Sequence, residues 1–143
     1  HRLLNSANDS KSGHDLSLSE KNEILKESMN KVDQEFFEHL NKILDENIKG
    51  VLDVNFLTEK LNMSTSTLYR KMKALTGISI NEYVRHYKMQ YAEKLLLKNT
   101  YTINEITYMI GLSSVTYFRK CFKEDFGYYP TEYLKKIKAA GKS

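Results

Sequence analysis

From residue 33 onward, apolar residues recur at helical spacing. Phe36, Phe37, Leu40, Ile43, Leu44 and Ile48 make one stripe, which predicts a helix from Asp33 to Ile48. Asp53 suits the N-cap of a second helix, Val54 to Leu61, with Val54, Leu57 and Leu61 turned inward. A short turn then leads into STSTLYRKMKALTG, Ser64 to Gly77. Leu68, Met72 and Leu75 share one face of that stretch, and Ser66, Tyr69, Arg70 and Lys73 share the other. Gly77 is a C-terminal stop. The longest predicted helix runs from Ser79 to Lys98, opened by a Ser79/Glu82 capping box. Its stripe is Ile80, Tyr83, Val84, Tyr87, Tyr91, Leu95 and Leu96, with Arg85, His86, Lys88, Lys94 and Lys98 mostly off it. Thr102 and Glu105 form a second box, opening a helix with Ile103, Ile106 and Ile110 inward. Ser114 to Phe126 is the next helix, closed by Gly127. Pro130 suits the start of a last one, Thr131 to Ala140. The pattern predicts an all-α fold of about seven helices.

The pattern also repeats. Val54, Leu57 and Leu61 match Ile103, Ile106 and Ile110 at an offset of 49. One residue is added in the turn. Ser64, Ser66, Leu68, Arg70, Met72, Lys73 and Gly77 then match Ser114, Thr116, Phe118, Lys120, Phe122, Lys123 and Gly127 at an offset of 50. Each half reads as helix, tight turn and helix with a basic second helix, so two helix-turn-helix units flank one long linker helix. An apolar back and a polar, basic front suit a helix that enters a DNA groove. A solvated amphipathic face accounts for one such stretch, but not for its repetition. The connecting helix is roughly 28 Å long at 1.5 Å per residue. That is on the scale of the about 34 Å between successive major grooves on one face of a duplex.

Charge follows the same boundary. Residues 1–32 balance five basic against five acidic residues, and residues 33–62 carry three against seven. Residues 63–143 carry fourteen basic residues against six acidic ones. A basic segment of this kind is the footprint of a polyanion partner. Residues 1–32 are polar and poor in aromatics, and read as a tether from an upstream domain, with Leu16, Leu18, Ile24, Leu25 and Met29 offering a weak amphipathic piece. The start at His1 predicts a piece of a longer protein. The single cysteine, Cys121, sits between Phe118 and Phe122 and reads as a core thiol in a reducing, cytoplasmic setting. No apolar run approaches the roughly 20 residues of a membrane span. Four scattered histidines and one cysteine give no metal-ligand spacing. No phosphate loop or supported Ser/His/Asp set occurs, so the sequence predicts neither an enzyme nor a cofactor.

MSTSTLYRKMKALTG (63–77), SINEYVRHYKMQYAEKLL (79–96) and ITYMIGLSSVTYFRKCFKEDFGYYPTEY (106–133) together resemble the DNA-binding domain of the arabinose-regulator (AraC) family of bacterial transcription factors. The resemblance covers about residues 35–138 and marks 33–143 as the domain, after a tether at 1–32. It implies a cytoplasmic transcription regulator, usually an activator, that binds two adjacent major-groove segments of double-stranded DNA and recruits RNA polymerase. The RKMKALTG version is similar to output domains of hybrid two-component sensors, with sensor, kinase and receiver upstream in one chain. This would be the cytoplasmic end of a membrane protein, with the piece itself a monomer and the full-length protein a dimer.

Carried over, base-contact positions fall at Ser66, Tyr69 and Arg70 in the first unit and at Val115, Thr116, Arg119 and Lys120 in the second. Thr65, Lys73, Arg85, Ser114 and Lys123 become phosphate-contact candidates. Leu112 stands where the family usually has Phe, Ser114 where Asp is frequent, and Val115 where a polar residue is frequent. Val115 has no group for a base edge beyond a thymine methyl, so the second unit is expected to read sequence less strictly. Arg70 suits bidentate pairing with guanine, with a phosphate clamp as the other use of the same side chain. Lys71 reads as a solvated flank; Tyr69 as a sugar or base contact, or a cover for the turn; Tyr83, Tyr87 and Tyr91 as core; Tyr117 and Phe118 as packing. A helical interaction module whose basic face docks an acidic protein is the alternative reading, which the repeated basic positions disfavour.

Overall fold

The computed structural model describes residue 20 and residues 30–141. The amphipathic piece expected between Leu16 and Met29, and most of the tether, lie outside the described residues. Among those described there are seven helices: α1 Lys31–Glu46, α2 Val54–Leu61, α3 Thr65–Thr76, α4 Ile80–Leu97, α5 Ile103–Met109, α6 Val115–Phe126 and α7 Pro130–Gly141. None is long and apolar enough to cross a membrane. The chain divides into two compact units, with Ile80–Val84 of α4 in the first and the rest of that helix in the second.

In the first unit α1 packs on α2 and α2 on α3. α1 begins two residues before its predicted start, because Asn30 is the N-cap and its side chain accepts the Asp33 N–H at 2.9 Å. Leu40, Leu44, Leu57, Leu68, Met72, Ile80 and Tyr83 are essentially removed from water. Asp53 caps α2 as its position predicts, accepting from Phe56 N–H at 2.8 Å. Tyr83 is buried with its hydroxyl on Asn41 at 2.8 Å, which satisfies its one polar group. Lys71 departs from expectation. It is half-buried, with its ammonium 3.3 Å from Asp33 and over the ring of Phe36, and so ties α3 to α1.

In the second unit α5 packs on α6 and α6 on α7. The core joins Met89, Ala92, Leu95 and Leu96 of α4 to Ile106, Ile110, Phe118, Cys121 and Phe122. Cys121 is a free, buried thiol, as its neighbours predict. Both halves of the Thr102/Glu105 capping box form, at 3.1 and 2.8 Å. His86 Nδ1 lies 2.7 Å from Asp125 on α6, and the Tyr133 hydroxyl donates to Glu93. Tyr87 and Tyr91 are half-buried rather than core. Three residues before α2, the stretch Ile48–Val51 belongs to this second unit and not to the first.

Candidate nucleic-acid interface

The two turns are built alike. In the first, Asn62 N–H bonds Glu59 O and Met63 N–H bonds Thr58 O. In the second, Gly111 N–H bonds Tyr108 O and Leu112 N–H bonds Thr107 O. Asn62 and Gly111 hold the same left-handed backbone, at φ 55° and 77°. Asn is the non-glycine residue that tolerates this region best. At Gly111 a side chain has no room, since a Cβ would lie 2.6 Å from the Lys49 carbonyl oxygen.

The helices after the turns also match. Ser64 caps α3 by accepting Thr67 N–H at 3.2 Å, and Ser114 caps α6 by accepting Tyr117 N–H at 3.1 Å. Each helix then ends on a left-handed glycine, Gly77 or Gly127, whose N–H returns to Lys73 O or Lys123 O. Between the caps, Leu68 and Met72 on α3 and Phe118 and Phe122 on α6 are all 0% exposed. Ser66, Tyr69, Arg70 and Lys73 are exposed on the opposite side of α3. Thr116, Arg119, Lys120 and Lys123 hold the same four positions, also exposed, on α6. Spacings of three and four residues put each set on one helix face.

The remaining candidates are less uniform. Thr65 is exposed at the first residue of α3, and Ser114 is exposed as the α6 N-cap. Val115 is half-buried at the first position of α6. Arg85, on α4, is half-buried, and its buried Nε has no hydrogen-bond partner among the described residues. Lys73 donates to the Gly77 carbonyl at 3.2 Å, and Lys123 stands 4.4 Å from the Tyr129 ring centre, so both ammonium groups are anchored at the C-terminal ends of their helices. Tyr117 corrects the sequence reading. It is 48% exposed on the first turn of α6, while its neighbour Phe118 is fully buried. Its counterpart at the repeat offset is Thr67, whose hydroxyl hydrogen-bonds the Ser64 hydroxyl at 2.8 Å. The neighbouring Cys121 side chain and burial raise the Tyr117 pKa, while the nearby Arg85 charge lowers it. That mismatch in the repeat was the available signal: an aromatic residue where the first unit has a small hydroxyl.

Among the described residues no three His, Cys, Asp or Glu side chains gather to hold a metal. The arrangement offers two basic, hydroxyl-rich helix faces on buried apolar backs. Such faces bind polyanions, and their side chains reach base edges where the groove admits a helix.

The family described as helix-turn-helix domain matches residues 57–136, more than half of the chain and all of the repeat from Leu57 on. The Msm operon regulatory protein of Streptococcus mutans is 32% identical over 111 residues, which is 78% of this chain and 40% of that protein. Histidine kinase P4 of Formosa agariphila is 31% identical over 107 residues, 74% of this chain and 8% of that protein. The chain therefore spans less than half the length of either relative. The C-terminal domain of AraT, a response regulator from Geobacillus stearothermophilus, superposes with a TM-score of 0.64 at 26% identity, covering 71% of this chain and 84% of that one.

Proposed function

This chain belongs to the AraC-type helix-turn-helix family, and from that premise we propose that it binds duplex DNA sequence-specifically, as the output end of a signal-responsive bacterial regulator. One observation carries the reading. Four exposed positions on α3 recur, exposed and in register, on α6, with Arg70 and Lys73 answered by Lys120 and Lys123. A solvated surface needs no such register; two heads that enter two adjacent major-groove segments do.

Base readout falls to Ser66, Tyr69 and Arg70 on α3 and to Thr116 and Arg119 on α6, with Val115 confined to apolar contact and Lys120, a base-contact candidate by resemblance, serving the phosphate backbone. Thr65, Lys73, Ser114, Lys123 and Arg85 hold phosphates. Phosphate contacts set register and supply the salt-dependent part of affinity, and base contacts supply the sequence preference. The domain acts by binding rather than by catalysis, and activates transcription by recruiting RNA polymerase. The likeness to a histidine kinase and to a response-regulator domain supports an upstream sensor or receiver in the same polypeptide. Residues 33–143 are the DNA-binding domain in this scheme, and dimerisation belongs to the full-length protein.

Selection of duplexes from a randomised library, followed by footprinting of the recovered sequence, tests the proposal. Protection of two major-groove segments by one chain is the expected result. Recovery of no preferred sequence, or protection of a single segment, would overturn it.

A further inference from the structure

One buried cation takes no part in the faces described above. Lys88, on α4, is only 7% exposed. Its ammonium donates to the carbonyls of Ile48 at 2.7 Å and Gly50 at 3.3 Å, and to that of Ile110. Ile48 and Gly50 lie in the stretch that follows α1, and Ile110 is the C-cap of α5, where the second turn begins. An ammonium group has three donors, and here three carbonyls meet them. Gly111 closes the same cluster, because a Cβ there would stand 2.6 Å from Lys49 O and 3.0 Å from Lys88 Nζ.

We propose that Lys88 is a positioning residue for the second reading helix. Its ammonium fixes the turn Ile110–Gly111–Leu112, and through that turn the seating of α6 on α5. Three features carry this. The Ile110 carbonyl is at the end of α5, where helix carbonyls lack intrahelical donors. The Ile48–Gly50 stretch supplies the other two oxygens, so one cation joins three segments of the second unit. And α6 starts at Val115, four residues beyond Gly111, which leaves little chain to absorb a displaced turn. Burial takes this cation out of water and lowers its pKa to about 8, which still leaves it charged at pH 7 to donate to those carbonyls. Without the ammonium, three buried or half-buried carbonyls lose their donor and must reach water by opening the turn.

The inference rests on the DNA-binding reading, and the experiment separates the two. The probe is the duplex selected by the wild-type 143-residue chain from a randomised library. Affinity is compared for that duplex, for one with the first protected segment scrambled, and for one with the second scrambled. Lys88→Met and Gly111→Ala are measured beside wild type at a temperature where circular dichroism shows each still helical. Lys88→Gln, which keeps two donors, replaces the Met variant if that one does not fold. The expected result is that scrambling the second segment loses at least about tenfold of its effect in the variants, while scrambling the first keeps its wild-type effect. A variant that weakens both segments equally, or neither, would overturn the positioning role. A wild-type chain that discriminates at neither segment would overturn the DNA reading, and the inference with it.

Discussion

Arg70 and Lys71 are adjacent and alike in charge, yet the fold gives them different work. Arg70 is exposed on the front of α3, whereas Lys71 is turned back onto Asp33 and the Phe36 ring. Arg70→Ala should therefore lose roughly 1–3 kcal/mol of binding and relax the preference at one base position, leaving stability unchanged. Lys71→Ala should do the reverse. It should lower stability by about 0.5–1 kcal/mol through the half-exposed ion pair and the ring contact, with specificity intact. Competition binding against single-base variants of the selected duplex, with urea melts on both proteins, separates the cases. Lys88 makes a prediction in pH. Its pKa is about 8 in the folded chain, against the ordinary lysine value of 10.5. Between those values the unfolded chain binds the extra proton, so stability rises with pH across that window. The rise is up to about 3 kcal/mol for a shift of this size. Lys88→Met should lack it, so the difference in urea midpoint between wild type and variant should drift toward wild type from pH 7.5 to 10. Tyr133 works in the opposite sense. Burial and its bond to Glu93 raise its pKa, so its contribution is complete below the ordinary tyrosine range and fades above it. It is present in both proteins and cancels in the comparison.

At the scale of elements, the two left-handed glycines of the second unit share a backbone but not a setting. Gly127 has open space where a Cβ would go, and Gly111 has the Lys49 carbonyl there. Gly127→Ala should cost only the strain of the left-handed conformation, about 1–2 kcal/mol. Gly111→Ala should cost distinctly more in the same urea experiment, because the carbonyl in its way belongs to the stretch that Lys88 grips. Equal losses would mean that the backbone at 48–50 yields freely. These helices also show what the chain's periodicity can carry. Leu68, Met72, Phe118 and Phe122 are legible as core because burial there follows a three-four spacing within one element. The caps at Asp53, Ser64, Thr102 and Ser114 are legible for the same reason, since each bonds only three residues onward. Lys71 and Lys88 are not legible. Their partners lie 38 residues away, at Asp33, and 22 to 40 residues away, at Ile110, Gly50 and Ile48. In a single helix both look like solvated lysines. Tyr117 is misread for a related reason: beside Phe118 it extends an aromatic pair, although only one member of that pair can point to the core.

For the whole molecule, charge is the property that no single helix carries. The excess of fourteen basic over six acidic residues in 63–143 adjoins a stretch, 33–62, with seven acidic residues against three basic. α1 lies in that acidic stretch and exposes Glu35, Glu38, Asp45 and Glu46, so a duplex is attracted to the reading faces and repelled from this one. The contact candidates come from the resemblance, and the repeat sets Ser66, Arg70 and Lys73 opposite Thr116, Lys120 and Lys123; the division of such residues into base and phosphate contacts is chemical and needs a measurement. Salt dependence supplies it. A lysine that neutralises one phosphate contributes about 0.9 to the slope of log affinity against log salt. Lys120→Ala, from the exposed front of α6, should lower affinity for all sequences alike and reduce that slope by about one. Lys42→Ala, from the exposed side of α1, removes the same charge and should leave the slope at the wild-type value. If both changed the slope equally, net charge alone would govern binding, and α6 would not be the surface that meets the backbone. If neither did, Lys120 would have to be read as a base contact, and its loss should then appear at one position of the selected duplex and not across all of them.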